Sequence, residues 1–304
     1  MQQMPRFLRS RQLAALVTIA FLAGCGGAGG CCTAPPFNAA AGPAPTPRVT
    51  ATPGIGATPT PVPTATPVPT ATPIPTPTPT PTPTPRVALS CAQNAAIGLA
   101  VPLGSAQTFA VLAASTVTNT GPTLVTGDLG VSPGTAVTGF GPGTGTVTGG
   151  AIHAGDATAD QAQLDLTTAY NNAAGRVNPG AVPADIGGLV IPPGIWKAPV
   201  SLAITGNVTL DGQNDPNAVF IFQMASTLTA STSSSVTLIN LANPCNVFWQ
   251  VGSSATINAG SIFNGTILAQ ASVSVLTGTT VNGRLLARTG AVSLLSDIVT
   301  RPGP

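Results

Sequence analysis

The sequence from residue 91 to residue 304 predicts a mainly β domain in which short strands stack as the coils of a solenoid, with one α-helix alongside. Three observations predict it. Short segments alternate apolar and polar residues, which indicates half-buried strands. Related segments return after 18 or 27 residues, and a single stretch has helical periodicity. Residues 1–24 and 25–90 differ in composition from this domain and are predicted to be a lipoprotein signal peptide and a linker.

The amino-terminal segment predicts secretion and lipid attachment. Three arginines in the first 11 residues precede the short apolar stretch 13–22, which is the order found in signal peptides. Residues 22–25, Leu-Ala-Gly-Cys, resemble the lipobox of bacterial lipoproteins, in which the cysteine receives the lipid. We therefore expect Cys25 to anchor the protein to the membrane, as an outer-membrane or cell-surface lipoprotein that faces the exterior. A plain secreted protein cut nearby is the alternative.

Proline and threonine dominate the linker, most regularly between residues 58 and 85. A proline at every second or third position fixes φ and removes backbone donors, so neither helix nor sheet can form. We expect a disordered, polyproline-like stalk on the order of 90 Å long at about 3.1 Å per residue. Its predicted role is to hold the domain away from the membrane.

Four further cysteines follow Cys25. Cys31 and Cys32 lie beside the predicted anchor, where further acylation, pairing between chains and no role at all remain open. In an oxidising compartment a disulfide between Cys91 and Cys245 is reasonable, and it would pin the start of the domain to its middle. Two unpaired thiols are the alternative.

Two repeats within the domain indicate stacked coils. Residues 265–270 return 18 residues later as 283–288, and residues 220–223 return 27 residues later as 247–250. Units this short cannot bury an apolar face alone, so each must stack on its neighbours. Such coils suit a β-solenoid and are too short for the blades of a propeller.

A shared pattern, an apolar residue on each side of a hydroxyl residue, runs through the same coils. In a strand the two apolar side chains point inward and the central hydroxyl points outward. Strands stacked about 4.8 Å apart would therefore align the hydroxyls of coils that share a face in rows. The central residues are Thr209, Thr229, Thr237, Thr256, Ser274 and Ser293.

One segment, 156–176, has no proline and places alanines and a leucine at helical spacing. Asp156 is a suitable N-cap and Gly175 a suitable stop, so the sequence predicts an amphipathic helix of about 18 residues. Leu268 and Leu286 occupy outward positions in their strands, and we expect the helix to cover them.

Charged residues are scarce, with ten basic and eight acidic residues and no glutamate in the whole chain. Without a basic patch or interleaved aromatic residues, the chain is not expected to bind nucleic acid.

Glycoside hydrolysis usually needs paired carboxylates. The one cluster, Asp156, Asp160 and Asp165, lies on the predicted helix, where a solvated face is the simpler interpretation. His153 is the sole histidine, and no metal-ligand spacing is present. We therefore expect no catalytic activity, metal or cofactor.

Six stretches together give the domain a resemblance to the bacterial and fungal ice-binding protein family. They are 103–113, 127–134, 193–196, 217–223, 245–252 and 282–292, and their order and spacing match over residues 103–301. The resemblance implies a right-handed, discontinuous β-solenoid of triangular cross-section, in which early and late coils stack out of order beside a helix. It also implies that the partner is the surface of an ice crystal, bound through one flat face. We expect a monomer.

Some members of that family carry a loose Thr-Ala/Gly-x-Thr/Asn motif on the flat face. The matching segments are 120–123, 135–138, 229–232 and 277–280, together with 168–171 in the predicted helix. Thr277 and Thr280 therefore join the outward hydroxyls as candidate ice contacts. A surface adhesin or envelope-structural module without ice activity is the alternative, since an anchor, a stalk and a flat face also serve adhesion.

Overall fold

The computed structural model describes residues 88, 90–96 and 100–303. These residues form two α-helices, α1 (Cys91–Ala96) and α2 (Ala157–Ala174), and 22 short strands. The strands are β1 (Phe109–Ala113), β2 (Thr116–Thr120), β3 (Leu124–Thr126), β4 (Asp128–Val131), β5 (Ala136–Thr138), β6 (Thr146–Thr148), β7 (Ile152–Ala154), β8 (Gly180–Ala181), β9 (Val190–Ile191), β10 (Gly194–Lys197), β11 (Leu202–Ile204), β12 (Asn207–Asp211), β13 (Phe220–Met224), β14 (Leu228–Ala230), β15 (Ser235–Ile239), β16 (Val247–Val251), β17 (Ala255–Ile257), β18 (Ile262–Ala269), β19 (Val273–Val275), β20 (Thr280–Ala287), β21 (Val292–Leu295) and β22 (Ile298–Thr300). The predicted mainly β solenoid is thus confirmed, whereas α1, a single short turn, was not expected.

The strands form three faces around a shared core, and their ladders are parallel. The seven-stranded face is a separate sheet in the order β11-β14-β17-β19-β21-β2-β5. The other 15 strands form one bent sheet. Its helix-covered face runs β8-β10-β13-β16-β18-β20-β1-β4-β7, and its third face runs β9-β12-β15-β18-β20-β22-β3-β6. β18 and β20 belong to both, because each is eight residues long and turns the edge between the two faces.

The coils do not stack in the order of the chain. β21, near the carboxyl end, pairs with β2, so that Thr118 lies beside Ser293, 175 positions later in the sequence. β20 pairs with β1 in the same way. The early coils therefore continue a stack that the late coils begin, as the resemblance implied.

Helix α2 carries the chain from one end of this stack back to the other, since it follows β7 and precedes β8. Its 18 residues span about 27 Å at 1.5 Å per residue. The seven strands of the seven-stranded face span about 29 Å at their usual spacing, so the helix is long enough to make the return. The Asp156 carboxylate caps its start by accepting the Ala159 N–H at 2.9 Å.

The helix covers the bent sheet with small side chains. Its buried residues are Ala159, Ala162, Leu166, Ala169 and Ala173. All of these except Ala159 share an apolar cluster with Leu268 and Leu286, which had been expected beneath the helix. At the far end the Gln223 side chain donates to the carbonyls of Ala173 and Arg176, each at 2.9 Å. These bonds satisfy backbone acceptors that the last turn leaves open.

A polar corner joins the seven-stranded face to the third face. Gly121 and Gly278 turn the chain there with φ of 81° and 76°, a left-handed conformation that glycine adopts readily. Buried polar residues follow the turns and form a ladder: Thr123, Ser234, Ser261, Thr279 and Asp297. Within this ladder the Thr279 N–H donates to Asp297 Oδ1, and the Asp297 N–H donates to Thr123 Oγ1, each at 3.1 Å. Burial raises the pKa of Asp297 to about 6.

A disulfide attaches the amino-terminal residues of the domain to the rest of the solenoid. The structure joins Cys91 to Cys245 in a disulfide across 154 positions of sequence. Beyond it, Ala100, Val101 and Leu103 enter the apolar cluster beneath α2. The signal peptide, Cys25, the neighbouring cysteines and the Pro-Thr stalk lie outside the described residues. Among the described residues, no helix is long and apolar enough to cross a membrane.

Candidate functional site

A single line of hydroxyl residues runs the length of the seven-stranded face. It is the outward position at the middle of each strand, and the strand pairing sets its members in register. This central row consists of Ala203, Thr229, Thr256, Ser274, Ser293, Thr118 and Thr138. Parallel strands lie about 4.8 Å apart, so six hydroxyl side chains follow one another at one regular interval.

The backbone beneath the central row is fixed by buried apolar residues. Thr256 is flanked by Ala255 and Ile257, which are 1% and 0% exposed. Their in-register neighbours in the adjoining strands are also buried. Strand side chains alternate between the two surfaces of a sheet, so burying these neighbours holds the hydroxyls of Thr229, Thr256 and Ser274 outward.

Two further lines of small residues flank the central row. Two positions earlier in each strand region lie Ser201, Thr227, Ser254, Ser272, Ala291, Thr116 and Ala136. Two positions later, in six of the seven strand regions, lie Thr205, Ser231, Asn258, Leu276, Leu295 and Thr120, whereas the corresponding residue after β5, Phe140, packs against the core. None of these residues, nor any in the central row, is charged. Within its seven strands the face therefore presents hydroxyls, methyls, the Asn258 amide and two leucines without a charge, and the exposed Asp185 bridges to Ala203 at its edge.

Most central hydroxyls make no side-chain hydrogen bond to another described residue. The exceptions are Thr118 and Ser293, since Thr118 Oγ1 donates to Ser293 Oγ at 3.2 Å. Within the described chain, Thr229, Thr256 and Ser274 have no such side-chain partner. Their hydroxyls remain available to water, since each can donate one hydrogen bond and accept two.

The candidate hydroxyls divide between two faces and a corner. Thr229, Thr256, Ser274 and Ser293 lie in the central row, whereas Thr209, Thr237 and Thr280 lie on the third face and Thr277 at the polar corner. The apolar–hydroxyl–apolar pattern occurs both on the seven-stranded face and on the third face. It therefore could not assign a residue to a face.

The third face differs in chemistry from the seven-stranded face. Thr280 stands in register between Ile262 and Ile298, which are 55% and 47% exposed. The Thr237 hydroxyl donates to Asn207 Oδ1 at 2.6 Å, and the Asn207 amide donates to Thr209 Oγ1 at 3.1 Å. The third face is thus interrupted by large apolar side chains, and two of its hydroxyls bond to a neighbouring side chain.

The Thr-Ala/Gly-x-Thr/Asn matches do not define one surface. Segments 277–280 and 120–123 both cross the polar corner, where the second residue is the left-handed glycine. Segment 229–232 begins in the central row and 135–138 ends in it. Segment 168–171 lies within α2. At the corner the motif describes a turn rather than a row of contacts.

Thr118 and Thr138 were not among the ice contacts predicted from the sequence, although Thr138 ends the motif match 135–138. Their strands break the pattern, because each lacks the second apolar flank. Asn119 follows Thr118 and is buried, with its amide donating to the carbonyls of Gly121 and Gly139. Gly139 follows Thr138. A search for a single apolar residue before the hydroxyl would have found both.

The ionisable residues near α2 have structural partners. His153 Nδ1 lies 2.7 Å from Asp156, and its ring packs 5.5 Å from Phe109. The Ala159 backbone N–H and His153 together hold the pKa of Asp156 below its ordinary value. Asp160 accepts a hydrogen bond from the Ser132 hydroxyl, and Asp165 accepts one from the Ser105 hydroxyl. Among the described residues, no three histidine, cysteine or acidic side chains are placed to hold a metal ion.

Comparisons with known sequences agree with one another. Residues 111–300 match the family described as Ice-binding-like. The chain is 45% identical over 211 residues to an ice-binding protein of Nostoc sp. (strain HG1), covering 68% of this chain and 77% of that protein. It is 34% identical over 233 residues to ice-binding protein 1 of Shewanella frigidimarina, where the match covers 67% of this chain but only 26% of that longer protein.

Solved structures similar to this chain are also of ice-binding proteins. A crystal structure of an ice-binding protein from an Antarctic biological consortium is 44% identical, with a TM-score of 0.63 over 73% of this chain and 96% of that one. The ice-binding protein of the Antarctic ascomycete Antarctomyces psychrotrophicus is 38% identical, with a TM-score of 0.64 over 67% of this chain and all of that one.

Proposed function

Because the chain belongs to the Ice-binding-like family, we propose that it binds ice through the seven-stranded face. The observation that carries this assignment is the central row, in which six hydroxyls stand in register and have no charged residue beside them within the seven strands. A crystal lattice is periodic, so a surface that meets it at many points must be periodic as well. The strand spacing supplies that period.

Rigidity and neutrality both favour this role. Each hydroxyl contributes little alone, so binding depends on many weak contacts made together. Since the core fixes the strands, few degrees of freedom are lost when the face meets a solid. Free hydroxyls can hold bridging waters, which are nearly as favourable as direct bonds, and the threonine methyls fill the space between them. Charged groups would bind water in their own geometry instead.

The third face is the less suitable surface. Its exposed isoleucines, Ile262 and Ile298, stand on either side of Thr280 and replace polar contacts with apolar bulk. Its Thr209 and Thr237 hydroxyls already bond to Asn207. A water layer ordered by this face would therefore be broken at several positions.

We also propose that the domain is displayed outside the cell from a lipid on Cys25, at the end of the stalk formed by residues 25–90. The order of basic residues, apolar stretch and Leu-Ala-Gly-Cys in the leader supports this arrangement. Stable anchoring needs more than one acyl chain, which lipoprotein processing supplies. Such a protein could hold a cell against ice or limit the growth of ice at the envelope, without catalysis and as a monomer.

The direct test is the activity of the purified domain, residues 90–304, towards ice. We expect thermal hysteresis and inhibition of recrystallisation, and we expect fluorescently labelled protein to coat a single ice crystal. A folded domain with none of these activities would contradict the proposal and favour the adhesin alternative.

A further inference from the structure

Arg284 carries a charge into the interior of the domain. It is 2% exposed and stands on the helix-covered face in register with Thr266, which in turn pairs with Phe248. Charged side chains are almost never fully buried without a partner. Within the described part of the chain, however, Arg284 forms no ion pair with a carboxylate.

Hydrogen bonds satisfy only part of the Arg284 guanidinium. Its Nε donates to the carbonyl of Gln107 at 3.0 Å, and Nη1 lies 3.5 Å from Thr266 Oγ1. A guanidinium has five N–H donors. The second terminal nitrogen, Nη2, donates to no described residue, and the guanidinium borders a cavity.

A second cation, Arg301, adds to the unpaired positive charge of Arg284. Burial lowers the pKa of Arg284 to about 10, and the positive charge of Arg301 lowers it further in the same direction. Arg284 is still protonated at neutral pH. Arg301 Nε is itself buried without a hydrogen-bond partner. The two arginines therefore create a positive region for which the described residues supply no counter-charge.

A small cavity lies against Arg284. It is lined by Gln107, Leu103 and Phe248 and by the disulfide between Cys91 and Cys245, and its volume is about 20 Å³. One water needs about 10–15 Å³ on this measure, so the cavity has room for a single small occupant. Its walls are otherwise apolar or neutral.

We propose that this cavity binds one monoatomic anion, chloride in most surroundings, against the Arg284 guanidinium. A water molecule could accept the free N–H groups but would leave the charge unbalanced, and a buried charge is stable only when it is paired. Oxyanions such as sulfate are too large for the space. The bound anion would join the segment 100–108 to the sheet beneath it, independently of any contact with ice.

The experiment uses thermal unfolding of the full chain at equal concentrations of sodium chloride and sodium gluconate, whose anion is too large to enter. A ligand that binds only the folded state raises Tm, and we expect chloride to raise it by about 2–4 °C relative to gluconate. Arg284→Met should abolish the difference. Lys197→Met removes a positive charge from an exposed position and should retain it.

Bromide provides a readout that does not depend on any variant. Crystals of the chain soaked in sodium bromide should give an anomalous peak within hydrogen-bond distance of the Arg284 guanidinium. If Arg284→Met fails to fold, this peak still decides the question. A cavity without bromide would overturn the proposal, even if chloride raised Tm by acting elsewhere.

Discussion

Replacing Thr256 by tyrosine should separate ice binding from folding. Thr256 lies at the third position of the central row, between Thr229 and Ser274, about 4.8 Å from each. A phenol ring at this position would rise above the hydroxyls on both sides and hold a flat solid away from all three. If each contact is worth about 0.5–1 kcal/mol, losing three weakens adsorption by about 1.5–3 kcal/mol, or about 10- to 150-fold.

The fold should tolerate this change. The Thr256 side chain points outward, whereas its buried neighbours Ala255 and Ile257 are unaltered. Exposed substitutions usually change stability by no more than about 0.5 kcal/mol, which corresponds to a shift in Tm of about 1–2 °C for a domain of this size. Thermal hysteresis at matched protein concentration and Tm by circular dichroism measure the two effects separately.

Thr237→Tyr is the matched control. Like Thr256, Thr237 has an apolar residue on each side, Val236 and Leu238. It is exposed, but it lies on the third face. We expect this variant to keep its activity. Loss of activity in Thr237→Tyr with retention in Thr256→Tyr would refute the choice of face, and full activity in both would refute the contribution of either row.

Three other measurements test separate parts of the molecule. Cys25→Ser should abolish metabolic labelling with a palmitate analogue, and equal labelling of both proteins would contradict the lipobox assignment. Burial raises the folded-state pKa of Asp297 to about 6 from an ordinary 3.8, so its contribution to stability is present at low pH and is lost as the pH rises. Tm should fall between about pH 4 and pH 6, and a slope unchanged in Asp297→Asn would exclude this carboxyl as the cause. Trp249 is fully buried and stacks on Phe222 at 4.2 Å, so Trp249→Ala should cost about 3–5 kcal/mol in denaturant unfolding; a cost below about 1 kcal/mol would mean that the core closes over the gap.

Local features of the fold were predictable, because they depend on neighbouring residues. The helix could be located from Asp156, Gly175 and the spacing of its small residues, since caps and periodicity act within a few turns. The outward position of Thr256 followed from its two apolar flanks. Even the burial of Leu268 could be anticipated from an apolar residue at an outward position.

Relations between distant residues were not predictable in the same way. Nothing in the segments around Thr118 and Ser293 indicates that they are neighbours, because parallel strands pair through backbone groups common to all residues. Thr237 and Thr256 lie on different faces because of the number of residues in each turn between faces, and the strand patterns do not give that number. Thr279 is buried at the corner, whereas Thr280 beside it is exposed. Which of the two side chains points inward is set by the backbone turn at Gly278, because successive strand side chains point to opposite sides.

The pairing of β2 with β21 has a consequence for how the chain folds. The strands made first cannot complete their ladders until the last strands have been synthesised, so their edges stay open through most of that time. Contacts between such distant segments slow folding, and open strand edges invite association between incomplete chains. A protein truncated before residue 292 would not simply be shorter by one coil, because β21 is the fifth of seven strands in its sheet. The missing piece would come from the interior of that sheet, leaving β19 and β2 without the strand between them, and the early and late coils would then be joined only through the strand pairing of β1 with β20.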